Sequence, residues 1–339
     1  MYLFKMRKHF GLNLGLMRRL QHFYWKRIFG KQLFCKRLGY SCMRLWHDKI
    51  MYPPVLSKIL ETPQTKCNRK SEIEIHSLLC HKHIHMYLLA IKSFLRFYNN
   101  VAVVVHDDGT LREKDIITLK EHIENLKVIK KKEADRAINK ILKNKPNCRY
   151  FREIYPIAKQ VFDYKILASK NKVISFDSDI IFFRRPEEII KWLDKKNRYI
   201  LYNQQKECEL PHNKVFKKYK INQLEDLNGG FVCYYKDAVN LGHIERTIKK
   251  LENQKEYYLW AQAFLGLTFY ESSYHAKPLD KNKYIVLDKA VRKSKSFIKK
   301  NPVMIHFINY RGYSIGRFHG GYYSKYAKKV IKELMNPTT

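Results

Sequence analysis

The sequence predicts an α/β protein built on a mostly parallel sheet flanked by helices. From Glu72 onward, short runs of β-formers alternate with segments of helical spacing, the pattern of strands joined by crossover helices. Several runs, Val101-Ala-Val-Val-Val105 above all, are apolar throughout, as strands buried on both faces must be. The 339 residues, 45% hydrophobic and 14% aromatic, suffice for a full core, and the length allows one large domain or two smaller ones.

The elements follow in chain order. Ile73–Cys80 has strand character, and residues 86–98 carry apolar side chains at helical spacing (Tyr87, Ile91, Phe94, Leu95, Tyr98). The Val101–Val105 strand ends in Asp107-Asp108-Gly109-Thr110, a polar turn suited to opening a helix over 111–122. A short strand at Lys127-Val-Ile129, a helix over 133–142 and a longer helix over 154–167 lead to the apolar run before Asp177. Pro186-Glu-Glu opens a helix to about Asp194, with carboxylates in its first turn where the helix dipole favours them. Residues 199–202 read as a strand, and the polar stretch 203–226 as a substrate-facing loop. Leu227-Asn228-Gly229-Gly230-Phe231 feeds a β-rich run to Tyr235; the glycine pair allows a ligand close to the backbone or simply makes a turn. Helices over 238–251 and 257–267 follow, and Pro302-Val-Met-Ile-His306-Phe-Ile is expected to close the sheet with a histidine at a strand end.

Residues 1–50 hold twelve Lys or Arg against one acid, Asp48, interleaved with aromatics such as Phe23, Tyr24, Trp25 and Phe29. Such a basic amphipathic extension suits an anionic membrane surface or packing on the core. Pro53-Pro54 and Thr62-Pro63 then read as a linker, giving an extension over 1–65 and a catalytic domain over 66–335. The formal charge of +36 draws the protein towards anionic lipid and polyphosphate. Basic residues recur along the chain without a recognisable nucleic-acid motif, so no specific nucleic-acid partner is expected. The seven cysteines are odd in number and show no Cys-x-x-Cys spacing, which argues for a reducing compartment. No apolar run is long enough for a spanning helix and no signal peptide is legible. The expected location is cytoplasmic, either free or peripheral on the inner face of a membrane.

The most informative stretch is Lys172-Val-Ile-Ser-Phe-Asp177-Ser178-Asp179-Ile-Ile-Phe-Phe183. Carboxylates at i and i+2 of an extended segment point to the same side roughly 6.5 to 7 Å apart, and can converge on one divalent ion with help from substrate oxygens. The apolar run before them would place the pair at a strand's carboxyl end, where open α/β sheets hold ligands. An acidic turn closing a strand is the alternative.

With Asp177-Ser178-Asp179, Leu227-Asn-Gly-Gly-Phe231 and His306 in this order, the chain resembles the GT-A glycosyltransferases. It is most similar to an uncharacterised bacterial branch whose motif reads approximately Asp-Ser-Asp-x-Leu-Phe-Phe-x-Arg-Pro. Here that motif reads Asp177-Ser178-Asp179-Ile-Ile-Phe182-Phe183-Arg184-Arg185-Pro186, and the resemblance spans roughly residues 72–325. It implies a single GT-A domain that moves a sugar from a nucleoside-diphosphate donor to a glycan, lipid-linked or protein acceptor, with Mn²⁺ or Mg²⁺ as cofactor. Asp179 would ligate the ion, Asp177 would contact the ion or the ribose, and His306 would complete the metal shell. Asp108 would lie near the nucleotide base, Ser178 and Gln262 beside the donor, and Asn228, Gly229 and Gly230 around its sugar.

One position departs from the pattern: relatives commonly carry Glu-Gln on the late helix, and this chain reads Ala261-Gln262. Glu225, Asp226 and Asp280 are the nearby acids from which an inverting enzyme would draw a base. Two rivals remain: a basic nucleic-acid-binding protein, and a catalytically inactive nucleotide-sugar-binding protein of the same fold. A pyrophosphorylase is disfavoured because residues 73–83 lack a glycine-rich phosphate loop.

Overall fold

A computed structural model describes residues 52–194, 198–205, 211–251, 260–288, 291, 301–308 and 322–336. The basic segment 1–51 lies outside these residues, as does the start of the predicted helix over 257–267. In chain order the strands are β1 (Thr65–Lys66), β2 (Ile73–Leu79), β3 (Ala102–Asp107), β4 (Ile123–Glu124), β5 (Lys127–Ile129) and β6 (Lys172–Phe176). They continue with β7 (Ile180–Phe182), β8 (Tyr199–Gln204), β9 (Leu227–Tyr235), β10 (His275–Pro278), β11 (Tyr284–Val286) and β12 (Met304–His306).

Seven strands form the central sheet in the order β10-β8-β9-β6-β2-β3-β5. β2 pairs in parallel with β3 and β6, β3 with β5, and β10 with β8, while β9 runs antiparallel to both neighbours. The carboxyl ends of β2, β3 and β6 therefore share an edge with the amino end of β9. The chain builds outward from β2 through β3 to β5 and then returns to place β6 on the other side of β2. That reversal is a topological switch point, where such sheets hold ligands. Helices cover the sheet, and Ile84–Leu95 is buried along its length, enclosed partly by the carboxyl-terminal helix Tyr322–Met335.

The last apolar run does not close this sheet. β12 pairs antiparallel with β7 and parallel with β11 in a separate three-stranded sheet. β7 is buried throughout and needs partners for its backbone polar groups; β12 supplies them, with His306 opposite Ile180. The long helix expected over 154–167 is also divided. Pro146–Ile154 forms one helix, Pro156–Ala158 a 3₁₀ turn and Lys159–Leu167 a second helix. Pro156 has no N–H and disfavours the helical region for the residue before it; Tyr155 is accordingly extended, at φ −117° and ψ 103°.

The polar stretch 203–226 contributes two residues to β8 and a helix, Pro211–Lys218. Residues read as a linker are likewise structured, in a helix over Tyr52–Ser57 and a 3₁₀ turn over Lys58–Glu61 that bury Leu56 and Ile59. Lys92, buried on the next helix, donates to Thr62 Oγ1 (2.8 Å) and Pro63 O (2.7 Å), and burial lowers its ammonium to about 8.

A buried polar chain crosses β2 and β3. Glu74 accepts from Ser169 Oγ (2.7 Å), Ser169 N (2.8 Å) and Lys170 N (3.1 Å). His76 Nε2 lies 3.3 Å from Glu74 Oε2, and His76 Nδ1 lies 2.8 Å from His106 Nε2. A proton on His76 Nε2 facing the carboxylate makes Nδ1 the acceptor and His106 Nε2 the donor. His106 Nδ1, without a hydrogen-bond partner among the described residues, is best left unprotonated. Burial holds both imidazoles below their ordinary value, His106 well below. Burial alone would raise the Glu74 carboxyl, but hydrogen bonds from His76 and Ser169 outweigh it and hold the group at about 2.

All three groups titrate lower when folded, so the unfolded chain binds more protons and stability rises with pH. The histidine contribution is complete above the unfolded value of about 6.5 and is lost as pH falls below it. The melting temperature is expected to drop between pH 7 and pH 5, and to drop less steeply in His106→Leu. Parallel curves for the two proteins would contradict this origin.

Candidate active site

The acidic pair sits at the switch point. Asp177 follows β6 directly, and Ser178 and Asp179 form a turn before β7, so the two carboxylates converge across a bend rather than along one extended strand. The bend is held from both sides: Asp177 N donates to Gly230 O (2.8 Å), and Phe307 N donates to Asp179 O (2.9 Å). Beneath it, Phe176, Phe182, Phe94 and Phe231 pack edge-on or stacked at ring separations of 5.3 to 6.2 Å. Phe176 and Phe182 flank the acids in sequence, and Phe94 and Phe231 join them from other elements.

β12 brings His306 to the same place. Its Nε2 lies 3.1 Å from Asp179 Oδ1 and 3.6 Å from Asp177 Oδ2, and its Nδ1 lies 2.9 Å from Asn228 Oδ1. Asn228 is oriented independently: Oδ1 accepts from Gly230 N (3.1 Å) and Nδ2 donates to Gln205 Oε1 (3.0 Å). Its oxygen therefore faces the imidazole and accepts from Nδ1, which leaves Nε2 as the ring nitrogen directed at the carboxylates and available to a cation shared with them.

One ligand atom from each of Asp177, Asp179 and His306 lies within 4.8 Å of the others. Atoms sharing an ion at about 2.1 Å are at most about 4.2 Å apart, so small rotations would bring all three onto one cation. Two carboxylates and one imidazole form a donor set that fits a divalent ion.

The glycine pair is spatially asymmetric. A Cβ at Gly230 would lie 2.1 Å from His306 Cε1 and 2.8 Å from Asp177 Oδ2, whereas one at Gly229 would meet Gln262 Cβ at an ordinary 3.7 Å. Gln262, from the helix Trp260–Glu271, accepts from Gly229 N through Oε1 (3.1 Å). Its buried Nε2 has no partner among the described residues.

The other expected residues make contacts of their own. Ser178 Oγ lies 3.4 Å from His83 Nδ1. Asp108 accepts through Oδ1 from Thr110 N (2.9 Å) and Thr110 Oγ1 (2.7 Å). The same turn places Gly109 at φ +109°, a conformation that L side chains rarely adopt. Among the three acids considered as bases, Glu225 pairs with Lys217 and Asp280 caps the turn at Asn282. Asp226 accepts from Tyr202 and Gln204 just before β9.

Three residues here had no signal in the sequence: His83, Lys159 and Gln160. Lys159 Nζ donates to Asp108 O (3.2 Å) and Gln160 Nε2 donates to Asp177 Oδ1 (2.7 Å). Both contacts are long-range, and neither residue belongs to a spaced motif.

No protein-family model and no curated protein matches the chain. Solved structures do. The galactosyltransferase LgtC, determined with donor and acceptor sugar analogs, superposes with a TM-score of 0.50 at 10% identity, over 79% of this chain and 98% of that one. Mouse xyloside xylosyltransferase 1, in its apo form, gives a TM-score of 0.48 at 14% identity, over 69% of this chain and 97% of that one. Together with the sheet order and the flanking helices, the likeness to LgtC shows that this chain has the GT-A glycosyltransferase fold.

Proposed function

We propose that the protein is a metal-dependent glycosyltransferase that moves a sugar from a nucleoside-diphosphate donor to a glycan, lipid-linked or protein acceptor. The observation that carries the reading is the convergence of Asp177, Asp179 and His306 at the sheet's switch point. These three would hold Mn²⁺ or Mg²⁺, which when bound to a donor diphosphate offsets the charge gained by the leaving group. Asn228 fixes the His306 tautomer. The backbone at Gly229 and Gly230, with Gln262 behind it, forms a wall against which a sugar would pack; Asp108 and Ser178 border the nucleotide side. The extended motif through Pro186 supports the bacterial branch, and the basic first fifty residues support attachment to an anionic membrane face.

A thermal-shift screen of nucleoside diphosphates and nucleotide sugars, with and without Mn²⁺, tests the reading. Ligands selective for the folded state raise the melting temperature with occupancy. The expected result is stabilisation by a subset of nucleotides only when Mn²⁺ is present. Stabilisation by none of them would contradict it.

A further inference from the structure

We propose that Gln160 is a positioning residue that fixes one oxygen of Asp177 and thereby sets how strongly the acidic centre binds a divalent cation. This rests on the metal-dependent reading above. Gln160 lies in the first turn of the helix Lys159–Leu167, and it is 8% exposed. Its Nε2 donates to Asp177 Oδ1 at 2.7 Å, while Asp177 Oδ2 is the oxygen that faces His306 Nε2. The carboxylate is thus divided between two duties: one oxygen is held by the amide and the other is turned towards the imidazole and Asp179.

The chemistry of the side chain matters. A carboxamide donates a hydrogen bond without adding charge. It can restrain Asp177 while leaving the site's two negative charges available to a cation, which a lysine or arginine at this place would partly neutralise. The neighbouring Lys159 is itself turned away, donating to Asp108 O at 3.2 Å. Consecutive residues of one helix therefore brace the loops that follow β3 and β6, and only the neutral one touches the acidic pair. Partners of this kind orient metal-binding side chains, and their loss typically weakens binding by about 10- to 100-fold.

The test compares native protein with Gln160→Met, which keeps the side chain's length and removes the donor. Mn²⁺ is titrated calorimetrically without nucleotide, and melting is followed in chelator. The expected result is Mn²⁺ affinity lowered at least about tenfold with the chelator melting curve little changed. Equal affinity for the two proteins overturns the role of Gln160 but leaves the metal-dependent reading standing. Absence of Mn²⁺ binding to the native protein, both alone and with nucleoside diphosphates present, overturns both. Should Gln160→Met fail to fold, Gln160→Asn replaces it: the amide is retained one methylene too short to reach, and native affinity in that variant would refute the proposal.

Discussion

Alanine at position 230 is expected to abolish Mn²⁺-dependent nucleotide binding while leaving the domain folded. The added methyl would stand 2.1 Å from His306 Cε1 and 2.8 Å from both His306 Nδ1 and Asp177 Oδ2, so the imidazole or the carboxylate must move. His306 cannot retreat easily: it is 3% exposed, hydrogen-bonded to Asn228 and fixed by the pairing of β12 with β7. Overpacking of one methyl costs typically about 1–3 kcal/mol, which a domain of this size should survive. Gly230 is not in the left-handed region, so the constraint is space rather than backbone conformation. Gly229→Ala is the control, because its methyl would make only ordinary contacts. Titration of Mn²⁺ with a nucleoside diphosphate should show binding lost in Gly230→Ala and largely kept in Gly229→Ala. Equal binding by the two variants would contradict this geometry.

Asp179→Ala is expected to have a comparable effect on binding and little effect on stability. The variant loses one of three converging donors, and metal-dependent affinity should fall by at least about a hundredfold, by analogy with the loss of a hydrogen-bonded charge contact worth several kcal/mol. Repulsion between two neighbouring carboxylates is relieved while the contact with His306 Nε2 is lost, so the melting temperature in chelator should change little. Asp177→Ala should bind as poorly, and His306→Ala should lose Mn²⁺ affinity more than stability. A His306→Ala protein that melts far earlier yet binds Mn²⁺ and nucleotide normally would make the histidine a core residue.

Much of this arrangement was legible because it rests on local pattern. The apolar runs of β2, β3, β6 and β9 announce buried strands, with Asp177 directly after β6 and Asn228 near the start of β9, at the edge where such a sheet gathers ligand contacts. Elements fixed by long-range pairing were harder to read. β12 has the same apolar character as a central strand, and nothing in Val303-Met-Ile305 distinguishes pairing with β7 from closure of the main sheet. β10, with the sequence His-Ala-Lys-Pro, has no strand signature and forms only because it lies beside β8. Tyr155-Pro156 was different, since the proline's effect on the preceding residue is local and should have divided the predicted helix. Gln160 could not be found by spacing: its role exists only because the helix after that break starts beside Asp177.

The central claim is that Asp177, Asp179 and His306 form a metal-dependent donor site, and its most direct test is calorimetric titration of nucleoside diphosphates into the native protein, once in Mn²⁺ and once in chelator, with Asp179→Ala beside it. The account predicts binding of at least one nucleoside diphosphate to the native protein in Mn²⁺, little binding in chelator, and little binding to the variant in either. Equal affinity with and without the metal, or unchanged affinity in the variant, would contradict it.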